Sequence, residues 1–391
     1  MPLIVVNKNT PLAVEAFSRI GNVIALDTLE VSRDAVHDAE ILVVRSETKV
    51  DRELLDGSSV RFVGTVTIGT DHVDLDYLAS QGIAFASAPG SNSNSVAEYV
   101  AAALLLWSQR TGEALREKTI GIVGVGNVGS KVERVARALG MNVLLNDPPL
   151  ARKTGNPSFR PLQELMDADV LSLHVPLTKS GPDATYHLFD EARINKMKRG
   201  AVLVNTSRGA VVETNALHHA LSLGHLSTAI LDVWEGEPKI DVRLLNEVML
   251  GTAHIAGYSL DGKVNALRMV YEAVCQYLNV PSGPKIEPEK DPASDMQILI
   301  PESVTGEKDI LLHAVRQAYD IELDDRMLRT TTSLPEQEHG EYFMRLRAGY
   351  RIRREFFNKV VQLYPEQAHA QDVLSKLGFM TKVREAQPWR K

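Results

Sequence analysis

Short apolar runs recur in the first part of the chain: LIVV from Leu3, VIAL from Val23, ILVV from Ile41, FVGTV from Phe62 and IAFA from Ile83. Brief, wholly apolar runs of this kind suit strands buried on both faces of a parallel sheet. Helix-like segments lie between some of them, such as PLAVEAFSRI after Thr10 and VDLDYLASQG after His72. Repeated strand–helix alternation predicts a doubly wound α/β unit.

A long apolar helix is predicted from about Ser95, where Ser95 and Glu98 have the S-x-x-E spacing of a capping box. Its most apolar stretch, AEYVAAALLLW from Ala97, is too short to span a bilayer and carries Glu98. After Lys118 the alternation restarts with TIGIV, a glycine loop, VERVARALG and NVLLN, then DVLSLHV, GAVLVN, STAILDV and EVML. This predicts a second α/β unit, from which a helix over about Leu260–Leu278 returns the chain to the first. The segment VPSGPKIEPEKDPASD from Val280 has the proline and charge of a linker. Beyond it, AVRQAYDIE and YRIRREFFNKVVQLY are expected to be helical, and QDVLSKLGF to end a helix on Gly378. Arg345, Arg347, Arg351, Arg353 and Arg354 would then lie along a helix and meet acidic residues across a dimer contact.

Composition narrows the classes. A chain of 391 residues holds two or three domains. A net charge of −7 gives no reason to expect nucleic acid or an anionic membrane as partner. With one cysteine, Cys275, no internal disulfide forms, which fits a reducing, cytoplasmic setting. No signal peptide is visible after Met1, and no metal is expected.

The run GIVGVGNVGSKVERVARALG places Gly124, Gly126 and Gly129 in a G-x-G-x-x-G pattern, with a strand before it and an amphipathic helix after it. That context makes a weak motif informative. Gly124 permits the tight turn, Gly126 lets backbone approach a pyrophosphate, and Gly129 lets helix pack on strand. The neighbouring Asn127 and Val128 open the helix, whose free N–H groups favour an anion. The second strand of the unit ends at Asp147, where a carboxylate accepts from ribose hydroxyls and repels a 2′-phosphate, so NAD is expected over NADP.

Three further segments end strands of this unit: NTSRGAVV with Arg208, LDVWEGEP with Asp232 and Glu237, and GTAHIAGYS with His254. Such strand ends border the ligand crevice of open α/β sheets. An arginine fork orients a carboxylate with two parallel hydrogen bonds. A histidine titrates near working pH and takes a hydroxyl proton. A glutamate beside it fixes its tautomer. Taken singly, each has a plainer reading: a surface arginine, a loop histidine. Together, downstream of an NAD loop, they outweigh those plainer readings and are expected to form a functional site suited to a hydroxyacid. His174, in LHVP, ends a strand on the same side and is expected to line the cofactor.

The order GVGNVG, Asp147, SRGAVV, DVWEGEP, HIAG resembles the D-2-hydroxyacid dehydrogenase family over about Leu3–Leu278. The resemblance implies Arg208 on the substrate carboxylate, His254 as acid/base, Glu237 as its partner and Asp232 near the nicotinamide carboxamide. Val175, Thr206, Ser207 and Gly257 are expected beside the cofactor, although Val175 stands where the family pattern has threonine. The implied architecture is a flavodoxin-like substrate domain over residues 1–94 and 258–284, a Rossmann NAD domain over 95–257, both doubly wound parallel sheets, and a C-terminal α+β dimerisation domain over 285–391. The active site of the family lies in the cleft between the first two.

For the substrate end, the resemblance points to Ser46 and Thr67 as hydroxyl donors with Tyr258. Arg45 and Lys263 are nearby cations suited to a phosphate. The expected ligands are therefore NAD and a small phosphorylated hydroxyacid, and the expected assembly is a homodimer. A family member acting on a related acid, or an NAD-sensing regulator on the same fold, remain the alternatives.

Overall fold

The computed structural model describes residues 1–288, 292 and 296–384. The linker read from Val280 is therefore described to Pro288, and most of its remainder lies outside the described residues. The chain divides into two compact units, Met1–Ser93 with Tyr258–Lys290, and Asn94–Gly257 with Asp291–Lys391.

In the first unit the apolar runs form strands β1 (Leu3–Asn7), β2 (Asn22–Leu26), β3 (Ile41–Val44), β4 (Phe62–Thr65) and β5 (Ala84–Ala86). They pair in parallel in the order β2-β1-β3-β4-β5, the flavodoxin-like order. β3 and β4 are buried throughout. β2 is not: as an edge strand it leaves Ile24 exposed. The helix Leu260–Leu278 covers one face, as predicted, and packs so closely on β4 that a Cβ at Gly64 would lie 2.4 Å from Val270. Ile286, at the start of the predicted linker, is buried in the same core.

The second unit carries β6 (Thr119–Val123), β7 (Asn142–Asn146), β8 (Val170–Leu173), β9 (Val202–Asn205), β10 (Thr228–Leu231) and the short β11 (Leu250–Gly251). All are parallel, in the order β11-β10-β9-β8-β6-β7. A single parallel bridge, Leu145 to Phe159, stands as a rudimentary strand beyond β7 and completes the Rossmann order. Successive connections leave β6 and β8 in opposite directions. The crevice at their carboxyl ends is the switch point where ligands of such sheets bind.

The C-terminal residues of this unit form a third, parallel sheet of β12 (Gln297–Leu299), β13 (Val360–Leu363) and β14 (Met380–Val383), with helices Glu307–Ala318, Ile321–Arg329, His339–Ala348 and Gln371–Leu377. Leu328 and Phe343 are buried in one cluster with Trp234 and Leu245. Gly378 caps the last helix with φ 110°, as expected.

Two expectations are corrected. The predicted helix YRIRREFFNKVVQLY is instead an extended strap from Tyr350, one turn at Phe356–Asn358, and β13. Val360–Leu363 alternate between half-buried and buried positions in the sheet, the two-residue period of a strand rather than of a helix. Its arginines find acidic partners within the same chain, Arg351 on Asp324 and Arg353 on Glu98. The second correction concerns the long helix, which begins at Ser93. Ser95 and Glu98 form no capping box: the Ser95 hydroxyl donates to Glu355 at 2.6 Å, and Glu98 pairs with Arg353. Among the described residues no helix is long and apolar enough to cross a membrane, and no cluster of side chains would hold a metal ion.

Candidate active site

The glycine loop follows β6 and meets its motif's demands. Gly124 adopts φ 85°, and a Cβ there would lie 2.7 Å from the carbonyl oxygen of His174. A Cβ at Gly129 would lie 1.9 Å from the carbonyl oxygen of Gly124, so only glycine lets the helix Gly129–Ala138 start against the turn. Gly126 has open space where its Cβ would point, and Asn127 beside it is exposed. This is a cradle shaped for a pyrophosphate at a helix N-terminus. Asp147 accepts from Val125 N–H at 2.8 Å and from Leu150 N–H at 2.9 Å, which holds its carboxylate beside the loop. The residues therefore fit a dinucleotide.

Around the crevice, His174 contacts the Ser172 hydroxyl at 2.8 Å and the Thr206 hydroxyl at 3.2 Å. Burial pushes its imidazole down to about 3, so the ring is neutral. Val175 makes an apolar contact with the glycine turn, 2.9 Å from a Cβ placed on Gly124. A threonine methyl would fill the same space, and valine forgoes only the hydroxyl. Ser207 donates both N–H and hydroxyl to Asn205 Oδ1, at 3.0 and 2.8 Å, and Asn205 Nδ2 donates to the Arg208 carbonyl at 2.9 Å. Asn205 thus shapes the Arg208 turn, and the sequence reading did not single it out.

The structure brings Arg208, Glu237 and His254 onto adjoining strand-end loops. A Cβ at Gly209 would lie 1.9 Å from the Trp234 carbonyl carbon, so the arginine turn and the Trp234–Glu237 loop touch backbone to backbone. His254 Nδ1 lies 2.7 Å from Glu237 Oε2. Glu237 Oε1 accepts from Trp234 N–H at 2.8 Å. Burial works to raise this carboxyl. The charge and hydrogen bond of His254, the Trp234 N–H and the charge of Arg347 outweigh it and hold the group below the usual glutamate range.

His254 itself sits at φ 55°, in the left-handed region, and its loop is gathered on Asp232. The Asp232 carbonyl accepts His254 N–H at 2.7 Å. Its carboxylate accepts Thr252 Oγ1 and Ile255 N–H at 2.7 Å, and Ala256 N–H at 2.9 Å. Asp232 is 1% exposed, and its burial raises its carboxyl above the ordinary value. It carries a scaffolding task beside the cofactor contact expected of it. Gly257, next to Ala256, ends the first stretch of this unit.

In the first unit a separate group of charges gathers at the ends of β3 and the helix Leu260–Leu278. Arg45 lies 3.6 Å from Glu47 and donates weakly to the Asn9 carbonyl at 3.4 Å. Lys263 stands 4.7 Å over the Tyr258 ring. Burial, then the Arg45 charge, bring Lys263 down to about 8, against an opposing pull from Glu47. Arg45 and Lys263 therefore feel one another directly. Ser46 is exposed beside them. Thr67 donates its hydroxyl to Gly69 O at 2.8 Å and shares a contact with Thr65, itself 2.9 Å from His72. As it stands, Thr67 offers a ligand its lone pairs rather than its proton. Glu47 was not foreseen, because an acid beside a proposed phosphate site looks out of place in one dimension.

Residues 95–256 match the family model described as D-isomer specific 2-hydroxyacid dehydrogenase, NAD binding domain, and residues 292–378 match a domain of unknown function. The fold is shared with D-lactate dehydrogenase from Aquifex aeolicus complexed with NAD and lactic acid, with TM-score 0.59 and 29% identity over 71% of this chain and 95% of that one. The chain belongs to the D-isomer-specific 2-hydroxyacid dehydrogenases, and it is an NAD-dependent oxidoreductase. It is 45% identical to the erythronate-4-phosphate dehydrogenase of Cronobacter sakazakii over 96% of this chain and 97% of the relative. With the erythronate-4-phosphate dehydrogenase of Salinibacter ruber the identity is 48%, over 90% of this chain and 92% of that one.

Proposed function

We infer that this chain oxidises the C2 hydroxyl of 4-phospho-D-erythronate with NAD, giving (R)-3-hydroxy-2-oxo-4-phosphobutanoate and NADH in the formation of pyridoxal 5′-phosphate. The observation that carries the reading is the near-full-length identity with relatives of that name, and the 2.7 Å His254–Glu237 pair supports it.

NAD, when bound, would supply the hydride acceptor for C2. Gly124, Gly126, Asn127, Val128 and Gly129 would hold its pyrophosphate, Asp147 its ribose, and His174, Val175, Thr206, Ser207, Asp232 and Gly257 the rest. Arg208 forks the substrate carboxylate and so fixes C2. Glu237 occupies Nδ1 of His254, which leaves Nε2 to take the hydroxyl proton. The imidazolium that results is stabilised by the ionised Glu237 beside it. Arg45, Lys263, Ser46, Thr67 and Tyr258 receive the phosphate end, where a dianion relieves the repulsion between the two cations.

The C-terminal region serves as the dimerisation domain of a homodimer. It leaves Ile352 79% exposed, with Leu299 and Phe357 also in solvent, an apolar set that suits a second copy. The enzyme works in the cytoplasm, in keeping with its single, buried thiol. Light scattering of the whole chain tests assembly: the parent runs as a dimer, and Ile352→Glu with Phe357→Glu as a monomer. Substrate choice is tested by following NADH, or product if NADH stays bound, with 4-phosphoerythronate, 3-phosphoglycerate and D-lactate side by side. Preference for either of the latter two overturns the substrate and leaves the family.

A further inference from the structure

The loop Thr252–Ala256 is anchored inward on Asp232, and the C-terminal region grips it from both of its other ends. Just before the loop, Asp325 Oδ1 accepts Gly251 N–H at 2.8 Å. Arg329 pairs with Asp325 through Nε at 2.9 and 3.0 Å. The same guanidinium donates to the carbonyls of Leu245 at 2.7 Å and Val248 at 2.8 Å. At the last residue of the loop, Arg353 Nη2 donates to the Ala256 carbonyl at 3.2 Å. Arg353 is 3% exposed, binds Glu98 at 2.9 Å and lies 4.3 Å over the Tyr319 ring. The other Glu98 oxygen accepts Phe356 N–H at 2.7 Å. Ala256 thus gives its N–H to Asp232 and its carbonyl to Arg353.

We propose that the C-terminal region is a clamp on the catalytic loop, in which Arg329 with Asp325, and Arg353 with Glu98, are positioning residues that hold His254 against Glu237. This gives the matched domain of unknown function a task inside each subunit, distinct from dimerisation, and it rests on His254 being the acid/base. The chemistry of the grips supports it. A buried ion pair is often no more stabilising than apolar packing of equal volume, so its value lies in direction. Here Arg353 spends a donor on the carbonyl that ends the loop, and Arg329 spends two on the end of the helix Val242–Glu247, which leads into β11 and the loop. His254, at a left-handed φ, needs such fixing, since a residue held in that region persists only when its surroundings over-determine it.

The test uses the full chain carrying Arg353→Lys, Arg353→Ala and Arg329→Lys, with His254→Asn as control. Lysine keeps the charge and loses the fork. The clamp predicts a kcat lower by about 10- to 100-fold in the arginine variants, the loss typical of a small misplacement of a reacting group. NAD affinity and dimer mass should be unchanged. Guanidinium ion added to Arg353→Ala should restore part of kcat. In ¹³C-histidine-labelled protein without substrate, the His254 signal should shift or broaden. An unchanged kcat per folded molecule and an unchanged His254 signal in both lysine variants overturn the clamp. Should Arg353→Ala fail to fold, Arg329→Lys, on a partly exposed side chain, carries the same two readouts. Activity retained in His254→Asn removes the base assignment instead, and the His254 signal still decides the clamp.

Discussion

Glu237 places one carboxylate oxygen 2.7 Å from His254 Nδ1 and the other 2.8 Å from the Trp234 N–H, so it is held at both ends before it holds the histidine. This double seat explains why a largely enclosed acid stays ionised. Nε2 of His254, the nitrogen proposed to accept the proton, is left free of Glu237, and the pair is held as one unit.

Glu237→Gln tests that unit. Glutamine keeps the shape and loses the charge, so the imidazolium formed during turnover loses its counter-charge and kcat falls. Stability responds too. Glu237 lies below its ordinary value of 4.5 in the fold, so the unfolded chain binds its proton first as pH falls. Its stabilising contribution is present above 4.5 and fades as pH drops through the lower folded value. Urea titrations on either side of pH 4.5 should show a shallower acid loss in the variant. An acid loss as steep as the parent's counts against the depressed carboxyl.

Gly209→Ala is predicted to disable the enzyme without touching any ligand. Its new Cβ would sit 1.9 Å from the Trp234 carbonyl carbon, which is backbone and unable to swing aside. The turns bearing Arg208 and Glu237 must separate, at a cost of about 1–3 kcal/mol in stability. The measurement is kcat/KM alongside thermal unfolding, and a fully active Gly209→Ala protein contradicts the close approach.

Local chemistry made the sheets and the ligand loops legible. Gly124, Gly129, Asp147, Arg208 and His254 each stand at a strand end with their neighbours in sequence, and their roles depend on little else. What escaped depends on partners far along the chain. Ser95 and Glu98 have capping-box spacing, but their partners Glu355 and Arg353 lie more than 250 positions away. The strap at Tyr350 carries the arginines and aromatics of an amphipathic helix, and tertiary contacts override that pattern. Asn205 was hidden because an asparagine after a strand is common, and its three bonds to the Ser207–Arg208 turn appear only in three dimensions.

Asp147→Ala is expected to narrow the preference for NAD over NADP, chiefly by weakening NAD. The carboxylate caps Leu150 while bonding Val125 in the glycine loop, beside its proposed role on the ribose. Loss of the cap alone costs about 1 kcal/mol. KM for NAD should rise, and KM for NADP should change little as lost repulsion offsets lost order. Equal use of both cofactors by the parent enzyme would falsify the assignment of Asp147.

The phosphate end of the substrate gives the prediction with the most consequences. Lys263, held at about 8 by burial and by Arg45, is a cation below that pH and neutral above it. A phosphate dianion needs the cation, so kcat/KM for 4-phosphoerythronate should fall as pH rises past about 8. Plain erythronate has nothing to offer Lys263 and should lack this basic limb. Lys263→Met should erase the limb while lowering the phosphorylated rate throughout. Arg45→Ala acts in two ways. It removes a phosphate partner, at about 2–5 kcal/mol if the contact is buried, which hurts the phosphorylated substrate far more than the plain one. It also removes the charge that helps lower Lys263, so the limb in Arg45→Ala should move to higher pH. Glu47, now without Arg45, favours the charged lysine further. The measurement is kcat/KM for both substrates from neutral to alkaline pH in the parent and the two variants. A basic limb of the same size with erythronate and with its phosphate would place the titrating group elsewhere and detach Lys263 from the substrate.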